Sequence, residues 1–327
     1  MKDLHSMGLR VRKGEVKILD QTRLPHDEVW LEMRDTQSMI EAIVSLRVRG
    51  APLIGVAAAL SLARLAEQGA SKTALAEAAA ALGTARPTAV NLKAAVDRVL
   101  AAEDPIQKAE EIFHEDVALC ENMAGLGAPL IDSGDSVLTH CNSGGLATVG
   151  TGTALGVIRR AHEEGKAIHV YVDETRPLLQ GARLTTWELG KLGIPHTLIC
   201  DNMAASLMAS ENIQKVFVGA DRVAMNGDFA NKIGTYGIAV AAHHHGIPLY
   251  CVAPRSTIDW NCANGEAIPI EERGAEELRR DWSPAGSSVF NPAFDVTPVN
   301  LVSGLITDFA FIEGERLERD GLAPYAP

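Results

Sequence analysis

From residue 136 onward the chain alternates short β-branched runs with stretches long enough to form a crossover helix. This pattern restricts the fold more than any other feature, because parallel strands cannot be joined by tight turns and need such crossovers. The expected strands are SVLTHC (136–141), AIHVYVDE (167–174), HTLICD (196–201), KVFVGAD (215–221), PLYCVAP (248–254) and LITDFAFI (305–312). Between them lie GTALGVIRRAHEEG, GARLTTWELGKLG, MAASLMASEN and TYGIAVAAHHHG, each able to cross back over the sheet. Repeated strand–helix–strand units imply an α/β fold with a mostly parallel, doubly wound sheet covered on both faces.

The chain changes character near residue 130. A β-like start (LRVRKGEVKILDQT, HDEVWLEMR) is followed by helical segments: SMIEAIVSLRVRG, the Ala-rich LIGVAAALSLARLAEQG, then 71–83, 90–103 and 105–125. Glycines end the first two, and regular Leu and Val spacing marks the Ala-rich runs as packed helices. The expected organisation is an N-terminal lobe of a small β-sheet plus helices over 1–128, and a Rossmann-like domain over 129–327. No strand is followed by GxGxxG with an acidic residue about 20 positions on, so a dinucleotide fingerprint is missing.

Composition narrows the function classes. A formal net charge of −12 excludes a broad nucleic-acid footprint but leaves room for a local anion site. The cysteines at 120, 141, 200, 251 and 262 are odd in number, scattered and free of CxxC pairs, which points to a reducing cytoplasm rather than a disulfide frame or zinc knuckle. No apolar run reaches the length of a membrane span, and the N-terminus has no signal-peptide core.

Polar residues cluster at the strand ends: His140-Cys141-Asn142, Asp173-Glu174, Asp201-Asn202, Asp221-Arg222 and Pro254-Arg255. Ligands of open parallel sheets bind beyond the carboxyl ends of the strands, so this edge is the expected site. Asp201 or Asn202 is also expected to cap the following helix. Cys141 reads equally as an inert buried thiol or as a reactive one favoured by small neighbours and a helix start near residue 150. No second Cys/His pair stands at a zinc-like spacing, so no metal is expected. His140 reads as a packing or hydrogen-bonding residue, and His243-His244-His245 point about 100° apart on a helix, unable to converge on one ion. Three segments offer anion sites ahead of helices: Arg47 and Arg49 in RVRGAP, Arg86 in ARPTAVN, and Asn231 and Lys232 in GDFANKIGTYG. Together they suggest a phosphorylated small molecule held between two lobes.

Eight blocks in order resemble the methylthioribose-1-phosphate isomerase family: ILDQTRLP (18–25), RGAPLIGVAAA (49–59), ARPTAVNL (85–92), LTHCNSGGLATVGTGTALGVIR (138–159), VYVDETRPLLQGARLTTWEL (170–189), CDNMAASLM (200–208), VGADRVAMNGDFANKIGTYGIAV (218–240) and NPAFDVTP (291–298). Relatives of that family include ribose-1,5-bisphosphate isomerases and regulatory subunits of a translation-initiation exchange factor. The resemblance implies a cofactor-free aldose–ketose isomerase of methionine salvage, usually homodimeric, that acts on a phosphorylated pentose. It implies catalytic roles for Cys141 and Asp221 and substrate contacts from Arg49, Gly50, Ala51, Arg86, Gln180, Asn231 and Lys232. The alternatives are an isomerase acting on 5-deoxyribose 1-phosphate and a non-catalytic sugar-phosphate sensor of the same fold. Two departures from the family pattern are the SGG after Asn142 and Arg255 after the fifth strand.

Overall fold

The computed structural model describes residues 1–86 and 90–326. The chain forms two compact units, one of Met1–Glu121 with Ser143–Gly152, the other of Asn122–Asn142 with the described residues from Thr153 onward.

The first unit opens with an antiparallel sheet in the order β1 (Leu4–His5), β2 (Leu9–Arg12), β3 (Glu15–Leu19), β4 (Trp30–Glu32). Period-two alternation in LRVR sends Leu9 and Val11 inward and Arg10 and Arg12 out, and the register sets Leu9 opposite Ile18 and Val11 opposite Val16. Five helices follow: α1 (Thr36–Val44), α2 (Ala51–Glu67), α3 (Lys72–Gly83), α4 (Val90–Leu100) and α5 (Pro105–Gly127), whose end passes into the second unit. Asp35 and Ser38 close a reciprocal capping box on α1, and Ser71 caps α3. α2 is buried from Leu53 to Ala63. Its alanines allow close approach to α4, while Leu53, Ile54, Leu60 and Leu62 each contribute about 1.5–3 kcal/mol of burial.

Segment 143–152 completes this unit. Its Val149 N–H donates to Asp116 Oδ2 on α5 at 2.6 Å, and its Leu146 carbonyl accepts from Gln21 Nε2 at 2.8 Å. Asp116 is buried, and desolvation pushes its carboxyl up to about 6 against the pull of the Val149 and Gly150 N–H groups.

The second unit is the α/β domain. Its strands are β5 (Ser136–Thr139), β6 (His169–Asp173), β7 (His196–Ile199), β8 (Lys215–Val218), β9 (Arg222–Val223), β10 (Phe229–Lys232), β11 (Leu249–Val252), β12 (Phe294–Thr297), β13 (Gly304–Ile306) and β14 (Phe311–Glu313). Its helices are α6 (Ala154–Glu163), α7 (Thr186–Leu192), α8 (Ala204–Ala209), α9 (Thr235–His244), α10 (Ala275–Arg279) and α11 (Gly314–Asp320). The main sheet runs β14-β13-β11-β8-β5-β6-β7, parallel throughout except for the β13–β14 pair. A separate antiparallel sheet, β12-β10-β9, sets Asn231 opposite Asp295 and Lys232 opposite Phe294.

The expected Rossmann-like arrangement is present, with differences at the strand ends. LITDFAFI is not one strand: the chain reverses at Thr307, whose Oγ1 donates to the Ala310 carbonyl and accepts from the Ala310 N–H. β5 and β8 stop at Thr139 and Val218, so His140, Cys141 and Asp221 lie beyond the ladder. α6 begins at Ala154, four residues later than the expected start, after the 143–152 excursion.

Candidate active site at the strand ends

Strand order places the site. After β5 the sheet grows to one side through β6 and β7, while β8, β11 and β13 build the other side. β5 and β8 are therefore the neighbours across which the winding reverses, where a parallel sheet leaves a crevice beyond its carboxyl ends. Cys141 follows β5 and Asp221 follows β8.

Cys141 is half-buried and left-handed, with φ +64°. For a residue with a Cβ this costs about 1–2 kcal/mol, so surrounding groups must hold it there. Its N–H donates to Thr175 Oγ1 at 2.8 Å and its carbonyl accepts from Thr185 Oγ1 at 2.6 Å. Thr175, itself at φ +64°, donates its hydroxyl to the Asp173 carbonyl at 3.1 Å. Asn142 is buried and donates to Thr185 Oγ1 and to Glu188 Oε1. Two threonines from separate segments thus clamp both peptide groups of the cysteine.

Behind Cys141, His140 Nδ1 lies 3.1 Å from Asp173 Oδ2 and Nε2 lies 2.9 Å from the Ile233 carbonyl. The expected helix cap at Asp201 or Asn202 is not formed: among the described residues no side chain caps α8, and Asp201 accepts the Thr175 and Arg176 N–H groups at 2.8 and 2.7 Å. The carboxylate is drawn to two backbone donors that the β6 loop would otherwise leave unpaired. Donor atoms of His140, Asp173 and Asp201 lie within 4.8 Å of one another, a grouping a cation could use. Both Asp201 oxygens and both His140 nitrogens already face these partners, so the group is knit together by hydrogen bonds.

Gln180 is buried and precedes a turn of π-helix, Gly181–Thr185, which delivers Thr185 to Cys141. Among the described residues, the Gln180 Oε1 has no hydrogen-bond partner. A Cβ on Gly181 would fall 1.7 Å from the Asp173 carbonyl oxygen, so only glycine lets this turn press on the end of β6. Asp221 is exposed at the mouth of β9, its N–H donating to the Ala230 carbonyl at 2.8 Å beside Asn231. Asn231 is buried on β10 with Nδ2 donating to Thr235 Oγ1 at 2.9 Å. Lys232 Nζ donates to the Ala293 carbonyl at 2.9 Å and sits over the Phe294 ring, 4.3 Å from its centroid. The second unit therefore brings Cys141, Asp221, Asn231 and Lys232 to one edge of its sheets.

The remaining expected contacts belong to the first unit. Arg49 Nε donates to Gln21 Oε1 at 3.1 Å, and Gly50, at φ +94°, is the N-cap of α2. A Cβ there would meet the Ala147 backbone at 2.5 Å, and Leu53 N–H donates to the Ala147 carbonyl at 3.0 Å. Ala51 opens α2 ahead of Pro52. Arg86 is half-buried; the Pro87-Thr88-Ala89 part of its motif lies outside the described residues.

Sequence reasoning missed Thr175 and Thr185 as partners of Cys141. The only signal was their place in the DETRP–LQGARLT block, since hydroxyl clamps leave no periodic trace. Arg255, one of the two departures from the family pattern, is exposed and stacks 4.5 Å over Phe309, with its N–H donating to Asp308 Oδ1. His244 and His245 meet edge to face at the end of α9.

A doubly wound sheet with ionisable groups at its switch point is the framework of a small-molecule α/β enzyme. The chain belongs to the initiation factor 2 subunit family, whose profile matches residues 47–314. It is 50% identical over 339 residues to the methylthioribose-1-phosphate isomerase of Klebsiella pneumoniae (strain 342), covering 99% of each chain. It is 50% identical over 338 residues to that of Yersinia pestis (strain Pestoides F), covering 99% of this chain and 98% of the relative. Among solved structures, the 5-methylthioribose 1-phosphate isomerase of Pyrococcus horikoshii OT3 superposes with a TM-score of 0.90 at 38% identity, covering 97% of this chain and 94% of that one. The structure titled translation initiation factor eIF-2B, subunit delta, from A. fulgidus gives a TM-score of 0.87 at 42% identity, covering 95% and 96%.

Proposed function

We propose that this protein is an aldose–ketose isomerase that converts 5-methylthioribose 1-phosphate to 5-methylthioribulose 1-phosphate in methionine salvage. Full-length likeness to proteins named for this activity supports the reading. The observation that carries it is the pairing of a strained, clamped Cys141 after β5 with Asp221 after β8, the two strands that flank the reversal of winding.

Phosphate blocks the anomeric carbon of this substrate, so no aldehyde exists until the furanose ring opens. Opening needs a proton at the ring oxygen, a hydrogen must then pass from C2 to C1, and the C2 hydroxyl gives up its proton as the ketone forms. We assign proton delivery at the sugar oxygens to Asp221. Cys141 either shuttles the C2 proton or stabilises the transition state, and both an enediolate-like route and a hydride shift fit these residue types. Arg49 and the Gly50–Ala51 start of α2 are the proposed phosphate contacts, with Arg86; cationic side chains and helix N–H groups favour such an anion. Gln180, whose buried Oε1 has no hydrogen-bond partner among the described residues, together with Asn231 and Lys232, is proposed to bind sugar oxygens. An acid/base pair suffices for this chemistry, and the proposal includes no metal and no cofactor.

The deciding experiment incubates the purified protein with methylthioribose 1-phosphate and follows ketose formation by NMR, with 5-deoxyribose 1-phosphate and ribose 1,5-bisphosphate in parallel. Loss of a small apolar end changes discrimination by only about 1–3 kcal/mol, so some turnover of the deoxy sugar is expected. Cys141→Ser and Asp221→Asn are expected to lower kcat by at least about 100-fold while binding persists, and full activity in both would remove the assigned roles. The initiation-factor title of the A. fulgidus relative motivates a second reading, a non-catalytic regulatory or sugar-phosphate-sensing subunit. Binding without turnover in the parent protein would select it.

A further inference from the structure

The roles assigned above leave His140 and Asp173 unused, although both side chains are buried, at 1% and 0% exposure. A backbone carbonyl can only accept, so the His140 nitrogen facing Ile233, Nε2, carries a hydrogen. The other nitrogen and Asp173 Oδ2 face each other at 3.1 Å and must hold a proton between them, because two bare lone pairs would repel. The second Asp173 oxygen, Oδ1, is buried and has no hydrogen-bond partner among the described residues, an arrangement that is costly for a bare carboxylate and tolerable when a shared proton offsets its charge.

The surroundings hold that proton in place. Burial pushes the His140 imidazole down, but the hydrogen bond and charge of Asp173, then the Ile233 carbonyl and Asp201, outweigh it and lift the ring above its ordinary value. Burial raises Asp173 too, opposed by His140 and helped by Asp201 and Glu174. Asp295 on β12 also interacts with His140, so acidic groups face the pair from several sides.

The bonds close into a ring. The Cys141 N–H reaches Thr175 Oγ1, Thr175 reaches the Asp173 carbonyl, the Asp173 carboxyl meets His140, and His140 is joined by its own peptide bond to Cys141. From that ring, Nε2 extends to Ile233, the residue after Asn231 and Lys232. We propose that His140 and Asp173 are positioning residues for Cys141, their shared proton locking the ends of β5 and β6 to the turn between β10 and α9. The proposal rests on the assignment of Cys141 to the reaction.

The test compares the parent with Asp173→Asn and His140→Gln, all carrying Cys200→Ser to remove an exposed competing thiol. Thermal unfolding, iodoacetamide alkylation of Cys141 read by peptide mass, and kcat and KM across about pH 6–9 are measured on the full chain. Asp173→Asn is expected to fold, to keep KM within about threefold, to lose at least about tenfold in kcat, and to alkylate Cys141 at least about threefold faster. A folded Asp173→Asn with parental kcat and alkylation rate overturns the proposal, as does a raised KM with kcat intact. Should both variants fail to fold, histidine ¹⁵N NMR of the parent decides: His140 is expected to titrate above the ordinary imidazole value, and a midpoint near 6.5 or below overturns it. Failure of the parent to turn over methylthioribose 1-phosphate would remove the isomerase reading, whereas the alkylation comparison needs no substrate and still tests the lock.

Discussion

At the residue scale, Cys141 is held through its peptide groups by two threonine hydroxyls, apart from the thiol to which we assign the chemistry. Thr175→Val or Thr185→Val keeps the side-chain shape and leaves one Cys141 peptide group without its partner, a loss of about 1–3 kcal/mol. We expect either change to reduce kcat about ten- to 100-fold with KM little altered, and steady-state kinetics at parental activity would contradict the clamp. Asp116 supplies a pH-dependent case. Its carboxyl is raised from 3.8 to about 6, so between those values the folded chain binds more protons than the unfolded one and stability falls as pH rises. Asp116→Asn should therefore flatten that fall and raise stability above pH 6 by up to about 3 kcal/mol. Urea unfolding at pH 7.5 showing a lower midpoint than the parent would refute this. Cys141 itself was legible in the sequence as a candidate, because it stands at a strand end among small residues. Its partners were not, since Thr175 and Thr185 approach it only through a left-handed turn and a π-helical turn that no hydrophobic period announces.

At the scale of elements, the parallel strands and long helices were readable because burial on both faces leaves continuous apolar runs. The antiparallel pair β13–β14 was not, since Phe309 and Ala310 carry the apolar run through a reversal made by Thr307. The small β12-β10-β9 sheet also escaped: Asn231 and Lys232 read as an anion site ahead of a helix, although they form a strand paired with β12. Gly181 sets the spacing between β6 and the π-helical turn. Gly181→Ala would force backbone apart at the Asp173 carbonyl and should cost at least about 3 kcal/mol, with activity lost even in the fraction that folds. A melting temperature within a degree or so of the parent would show that the turn can yield.

At the scale of the whole molecule, the family resemblance leads us to expect a homodimer, and light scattering at micromolar concentration should give twice the chain mass. Among the described residues no helix is long and apolar enough to cross a membrane. The excursion of residues 143–152 has a consequence in time. These residues supply Leu146, Ala147 and Val149 to the unit that begins at Met1, yet they are made only after α5 and β5 have been synthesised. On the ribosome, the amino-terminal unit must therefore wait half-assembled while the first strand of the other emerges. A chain released at residue 128 would lack the groups that satisfy Asp116 and Gln21, and we expect it to remain open to protease where the complete protein resists.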